Sequence, residues 1–229
     1  LAYALENELD ELGDVSDWVA EHKWDGIRGQ VICRKGEIFV WSRGEELVSD
    51  KYPEIADLVN TLPQGTVLDG EIVAIIDGQI ALFNDLQTRI GRKNVSKSIL
   101  QKVPVIFKAY DLLEYAGKDI RTFSYLERRA LLEDLIQKAN HPALHISEQM
   151  QFGSWAEVAA ERALSRDKRS EGLMLKRKSA SYQVGRKKGD WWKWKTDPLT
   201  IDAVLTYAMR GHGRRTNLFT DYTFGLWQP

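Results

Sequence analysis

The sequence predicts an α+β fold. Strand-forming runs punctuated by Gly-containing turn pairs fill its first half, and helices with their own capping residues sit in its second half. Strands and helices do not alternate in the regular βαβ order of a parallel sheet. Gln30 to Arg34 and Glu37 to Ser42 flank Lys35-Gly36, which predicts a hairpin. Tyr52 to Leu62 places Ile55, Leu58, Val59 and Leu62 at helical spacing. Thr66 to Ile76 and Ile80 to Phe83 flank Asp77-Gly78, a second hairpin signal. Val103 to Leu113 is apolar, β-branched and aromatic, and reads as a buried strand. Tyr125 to Ala139 is the clearest helix, with Leu126, Leu131, Leu132, Leu135 and Ile136 assigned to one face. Ser124 and Glu127 have the spacing of a capping box. Trp155 to Ser165 is a further helix, with Ser154 as its cap and Glu157 three residues on.

Pro198 marks a boundary. Leu199 to Tyr207 and Tyr222 to Trp227 read as strands around the basic Arg210-Gly-His-Gly-Arg-Arg215 segment. About thirty residues cannot bury a core of their own. Residues 1–198 are therefore expected to form the main domain, and residues 199–229 the opening of an all-β domain that this sequence does not complete. The first residue is Leu, so the chain is expected to be cut from something longer.

A 43% hydrophobic content supports a real core and excludes a disordered chain. Net charge is −1, so overall charge selects no partner. Its distribution does. Residues 1–22 hold seven acids and no Lys or Arg, whereas residues 166–195 hold eleven Lys or Arg against three acids. That asymmetry predicts one basic face suited to a polyanion; a solvated charged surface is the plainer alternative. Cys33 is the only cysteine, which excludes an intramolecular disulfide and a Cys-based zinc site. It sits in a strand run and reads as a small core residue, in keeping with a reducing cytoplasm. No signal peptide and no membrane-spanning apolar run is found. The four His residues show no metal spacing.

Chemistry concentrates first at Glu21-His-Lys23-Trp-Asp-Gly-Ile-Arg28. A lysine amine attacks a phosphate only when deprotonated, and burial or a neighbouring cation favours that form. Arg28 brings a planar fork that can hold the phosphate under attack, and Asp25-Gly26 predicts a tight turn. Alone, the segment is as compatible with a surface lysine in a turn. Arg43, in Trp41-Ser-Arg-Gly44, stands at a strand end where it can meet a phosphate, or be an ordinary turn residue. Glu71, in Leu68-Asp-Gly-Glu-Ile72, is a carboxylate between apolar neighbours and needs a partner: a metal, a ribose hydroxyl or a lysine. Glu171 opens the apolar run Glu171-Gly-Leu-Met-Leu-Lys176. Two carboxylates at strand ends suit Mg²⁺, which takes few protein oxygens alongside substrate phosphates. In Trp191-Trp-Lys-Trp-Lys195, strand alternation puts Lys193 and Lys195 on one face, fit to neutralise a triphosphate.

In this order, K-x-D-G-x-R, S-R-G, D-G-E, a Tyr-Asp-Leu-Leu strand, E-G-L-M-L-K and W-K-W-K resemble motifs I, Ia, III, IIIa, IV and V of ATP-dependent DNA ligases. These belong to the covalent nucleotidyltransferases, with the mRNA capping enzymes and RNA ligases. The Glu-x-Lys start, E-G-L-M-L-K and the Leu-Thr-Ile-Asp-Ala-Val-Leu lead-in to the next domain are similar to DNA ligases in particular. The closing segment is most similar to a bacterial branch.

The resemblance implies a ligase and capping-enzyme nucleotidyltransferase fold (ATP-grasp-like) with AMP in a cleft between two sheets, followed by the first strands of an OB barrel. It implies that Lys23 becomes adenylylated by ATP with Mg²⁺, that Glu21 reads the adenine amino group, and that Tyr110 stacks on adenine where Phe is common. Arg28 and Arg43 would contact the nucleotide and then the 5′-phosphate of a DNA nick. Glu71 would meet the ribose and, with Glu171, the metal. Lys193 and Lys195 would contact the α-phosphate. The implied partner is nicked double-stranded DNA, in the cytoplasm or on a nucleoid, with no membrane. The family's late basic motif, which orients pyrophosphate, and its N-terminal DNA-binding domain have no counterpart in this sequence. The rival expectations are an RNA ligase or capping guanylyltransferase, and a nick-binding module with weak turnover.

Overall fold

The computed structural model describes every residue except Leu1, Asn7, Lys93, Arg186, Gln228 and Pro229. It divides into two compact units, Leu1–Thr196 and Asp197–Pro229. In the first unit the chain runs β1 (Tyr3–Ala4), β2 (Trp18–Trp24), β3 (Ile27–Arg34), β4 (Glu37–Ser42), α1 (Pro53–Ala56), β5 (Thr66–Ile76), β6 (Gln79–Ile80), α2 (Phe83–Ile90) and α3 (Lys97–Lys102). It continues through β7 (Val105–Tyr115), β8 (Lys118–Asp119), α4 (Tyr125–Ala139), β9 (Leu144–Ile146), β10 (Gln149–Met150), α5 (Trp155–Ala163), β11 (Ser170–Arg177) and β12 (Trp191–Lys195).

Two sheets result. The larger has the order β4-β3-β5-β7-β8, with β6 on β5 and β9 parallel to β7. The smaller has the order β1-β12-β11-β2-β10 and is antiparallel except for β1 against β12. Each has its own core. Behind the larger sheet, Val31, Val40, Leu68, Ile72, Phe107 and Leu112 pack with Ile55, Leu86, Leu132 and Leu135 from the helices. Behind the smaller, Trp18, Ala20, Leu173, Leu175 and Trp192 pack with Val158 of α5. Burial in β3 alternates through Gly29, Val31 and Cys33, so Arg28, Gln30 and Ile32 take the other face.

The α4 capping box forms as its sequence predicts: the Ser124 side chain accepts from the Glu127 amide while Glu127 reaches back to the Ser124 amide. Its buried stripe is Tyr125, Arg128, Arg129, Leu132, Leu135 and Ala139. Leu126, assigned to that face from sequence, is 44% exposed. Arg128 takes the place beside the core because it is fully paired. It donates to both oxygens of Asp111 at 2.7 and 2.8 Å and to the Phe123 and Ala180 carbonyls. Asp111 lies directly across from Asp69 in the β5–β7 ladder, and two carboxylates so placed each need a cation.

Three other expectations are corrected. The strand Ile80 to Phe83 is only Gln79–Ile80, and Phe83 instead opens α2. The strand expected from Val103 starts at Val105, because Val103 caps the end of α3. The helix expected over Tyr52 to Leu62 stops at Ala56 and continues as a 3₁₀ turn, Asp57–Asn60. Arg89 of α2 is the fixing point of this region: fully buried, it donates to both oxygens of Glu54 and to the Lys51 and Val103 carbonyls.

The second unit is an antiparallel pair, β13 (Val204–Arg210) and β14 (Phe219–Gly225). The strands predicted as Leu199 to Tyr207 and Tyr222 to Trp227 are thus shifted toward the basic turn. Among the described residues this unit holds two strands and no closed barrel. No helix among the described residues is long and apolar enough to cross a membrane.

Candidate active site

Asp25-Gly26 is the point where the chain passes from one sheet to the other: β2 belongs to the smaller sheet and β3 to the larger. The step is tight. A Cβ on Gly26 would collide with the Ile72 carbonyl and press on the Glu71 side chain. Lys23, two residues before the step, therefore sits at the seam between the sheets. There it lines a cavity of ≈ 260 Å³.

The smaller sheet supplies one wall. Glu21 and Lys23 share a face of β2, with Met174 and Lys176 of β11 and Trp191, Lys193 and Lys195 of β12 lining the same cavity. Glu171 stands on β11 where the register with β2 shifts, next to Gly172 at φ +139°. A Cβ on Gly172 would strike the Trp194 carbonyl. This bulge turns the Glu171 carboxylate onto two amines: one oxygen accepts from Lys23 and the other from Lys195 at 3.1 Å. Burial pushes the Glu171 carboxyl up, but its bonds to Lys23 and Lys195 outweigh that and hold it below its ordinary value.

The larger sheet supplies the other wall. Arg28 of β3 donates to both oxygens of buried Asp69, at 3.2 and 2.6 Å, and to the Tyr182 hydroxyl at 3.0 Å. Asp69 also accepts from the Tyr182 hydroxyl at 2.6 Å and from the Tyr110 hydroxyl at 3.1 Å. Burial pushes the Tyr110 phenol well above its ordinary value, so it remains a donor. Arg43 follows β4 and lines the cavity from an exposed turn. Glu71, paired across the ladder with Arg28, is different. No side-chain hydrogen bond or ion pair to it is formed among the described residues, and burial lifts its carboxyl to about 8 against the pull of Lys23.

Eight of the nine residues named from sequence line this one cavity: Glu21, Lys23, Arg28, Arg43, Glu71, Tyr110, Lys193 and Lys195. The ninth, Glu171, is bonded to two of them. Sequence reading passed over Asp69, Lys176 and Tyr182. Asp69 and Lys176 lie inside the quoted D-G-E and E-G-L-M-L-K runs, where a charge set within a buried strand is the signal that would have found them. Tyr182 has no comparable signal.

Seven cations (Lys23, Arg28, Arg43, Lys176, Lys187, Lys193 and Lys195) converge with Tyr110, Trp191 and Trp24 on one cavity. That arrangement suits an aromatic base carrying a chain of phosphates. A divalent cation also fits. Among the described residues no group of three or more His, Cys, Asp or Glu converges. Yet Glu71 is a cavity carboxylate without a bonded partner among the described residues, and Mg²⁺ needs only one or two carboxylates beside substrate phosphates.

Known proteins resemble this chain in sequence and in fold. The family model described as "ATP dependent DNA ligase domain" matches residues 2–195. A probable DNA ligase of Koribacter versatilis is 30% identical over 99% of this chain and 43% of its own length. A DNA ligase of Haloferax volcanii is 35% identical over 90% of this chain and 35% of its own. Among solved structures, mycobacterial DNA ligase D complexed with ATP and MES superposes with a TM-score of 0.64 at 29% identity. That match covers 98% of this chain and 67% of that one. The chain thus spans less than half the length of these two curated relatives. With its matched span running through both sheets and every strand of the cavity, the chain belongs to the ATP-dependent DNA ligase domain family.

Proposed function

We propose that this chain is the catalytic core of an ATP-dependent DNA ligase, acting on nicked duplex DNA in the cytoplasm or on the nucleoid. The observation that carries the reading is the placement of Lys23 at the seam of the two sheets, inside a cavity lined by six further cations and an aromatic wall. Residues 1–198 act as the adenylylation domain, and residues 199–229 open an OB-type domain.

The lone pair of Lys23 Nζ attacks the α-phosphorus of ATP. A P–N bond forms, the bond to the β-phosphate breaks, and pyrophosphate leaves with the charge. The amine must shed its proton first, so its pair with Glu171 opens as substrate binds. Glu71 would hold Mg²⁺, which when bound would offset charge on the reacting phosphate. Glu171 would share that role once Lys23 and Lys195 turn to the substrate. Lys193 and Lys195 then meet the α-phosphate, where charge builds up. Glu21 reads the base and Tyr110 stacks on it. An oxygen of the DNA 5′-phosphate, held by Arg28 and Arg43, next attacks the AMP phosphorus. The P–N bond breaks and Lys23 regains its proton. Attack by the 3′-hydroxyl seals the strand and releases AMP. The basic strip 166–195 supports the DNA backbone, a share that weakens with salt.

The test is sealing of a labelled nick with ATP and Mg²⁺, with Lys23→Ala beside the wild-type chain. Sealing and covalent label should both vanish in the variant. Label from GTP but not from ATP would replace the ligase by a guanylyltransferase. Nick binding with no label at all would replace the enzyme by a binding module.

A further inference from the structure

Glu21, Tyr125 and Lys176 form a hydrogen-bonded cluster, of which Glu21 and Lys176 line the cavity. Glu21 is 1% exposed. Its Oε1 accepts from the Tyr125 hydroxyl and from the Lys176 ammonium, each at 2.6 Å. Among the described residues no donor is bonded to Oε2, although Glu21 lines the cavity. Tyr125 comes from the first turn of α4 and is itself buried. Burial pushes its phenol far up, so it stays protonated and donates. Lys176 is held in turn. It donates to the Tyr110 carbonyl at 3.3 Å, and its Nζ lies 4.8, 5.1 and 4.7 Å from the ring centres of Tyr110, Tyr125 and Trp191. A cation in such a cage has little freedom to move.

Two donors on one oxygen fix the plane of the carboxylate, since rotating it breaks both bonds. Oε2 is then a stationary acceptor. A purine 6-amino group donates to it, whereas a 6-oxo group sets oxygen against oxygen and leaves both unpaired. A carboxylate free to turn would escape this limit by accepting from the N1–H of a 6-oxopurine.

We propose that Tyr125 and Lys176 are positioning residues that lock the Glu21 carboxylate and so set the preference for a 6-aminopurine over a 6-oxopurine nucleotide. The proposal rests on the nucleotidyl-transfer reading of the cavity and adds the source of its base selectivity. The experiment measures covalent labelling of the chain by ATP, ITP and GTP in wild type, Tyr125→Phe, Lys176→Met and Lys176→Arg. In Tyr125→Phe the ATP-over-ITP ratio of kcat/KM should fall at least about tenfold, the size of one hydrogen bond to a charged group. Lys176→Arg should keep more of the ratio than Lys176→Met. Tyr125→Phe retains the ring and its packing, so it decides the matter even if Lys176→Met does not fold. An unchanged ratio in Tyr125→Phe, or equal losses with ATP and ITP, overturns the proposal and leaves these residues a purely structural part. Wild-type chain that takes no label from any nucleotide overturns the nucleotidyl-transfer reading itself.

Discussion

Two carboxylates, one on each wall of the cavity, hold charge in opposite ways. On the larger sheet, fully buried Asp69 collects Arg28, Tyr110 and Tyr182, and one carboxylate ties three elements together. On the smaller sheet, Glu171 is shared by Lys23 and Lys195, and all three are partly exposed. The first arrangement is costly to open, because each released partner would be left desolvated. The second is weak enough to exchange partners with a substrate, because solvent screens it. The Asp69 cluster is framework and the Glu171 pair is the part that reacts. Substitutions of matched kind should therefore damage stability on one side and turnover on the other.

Asp69→Ala should give the largest effect on folding. It strands Arg28 and two phenols, and urea unfolding should show a loss of about 3–5 kcal/mol. A loss under about 1 kcal/mol, the range of an exposed pair, would erase the distinction between the walls. Lys195→Ala should leave stability nearly intact and slow formation of the nucleotide adduct about a hundredfold at saturating ATP, in the range of a lost transition-state donor. An equal loss in ATP affinity would make it a ground-state contact.

Glu71 gives a pH signature. Burial pushes its carboxyl up to about 8 in the folded chain, above the ordinary 4.5. The folded state thus binds the extra proton between those values, and stability conferred on the protonated form is lost as pH rises through that window. Unfolding free energy should fall from pH 5 to pH 8 in the wild type and less steeply in Glu71→Gln; parallel curves would show that Glu71 titrates normally. The smallest effect is expected for Tyr182→Phe. It removes one hydroxyl from the Asp69 cluster while leaving Arg28 in place, at about 1 kcal/mol.

The sequence made the local parts legible. Ser124 and Glu127 announce α4 because a capping box is written within four residues, and Lys35-Gly36 announces its hairpin for the same reason. Helices α2 and α3 escaped because α2 has no side-chain cap and buries an arginine, while α3 spans six residues and buries none of them. Leu126 was misplaced because Arg128 and Arg129 interrupt the apolar stripe that α4 buries. The cavity residues stood out as single motifs, but their partners did not. Lys176 meets Glu21 across 155 positions and Tyr182 meets Asp69 across 113, and no local pattern encodes a pairing at that distance.

The most direct test of the division between the walls is the mass of the intact chain after incubation with Mg²⁺ and ATP, followed by peptide mapping and by urea unfolding of Lys23→Ala. The account predicts one acid-labile AMP on Lys23, no adduct in the variant, and unfolding of the variant within about 1 kcal/mol of the wild type, as a partly exposed pair allows. An adduct on another residue, or a Lys23→Ala chain that labels normally or fails to fold, would contradict it.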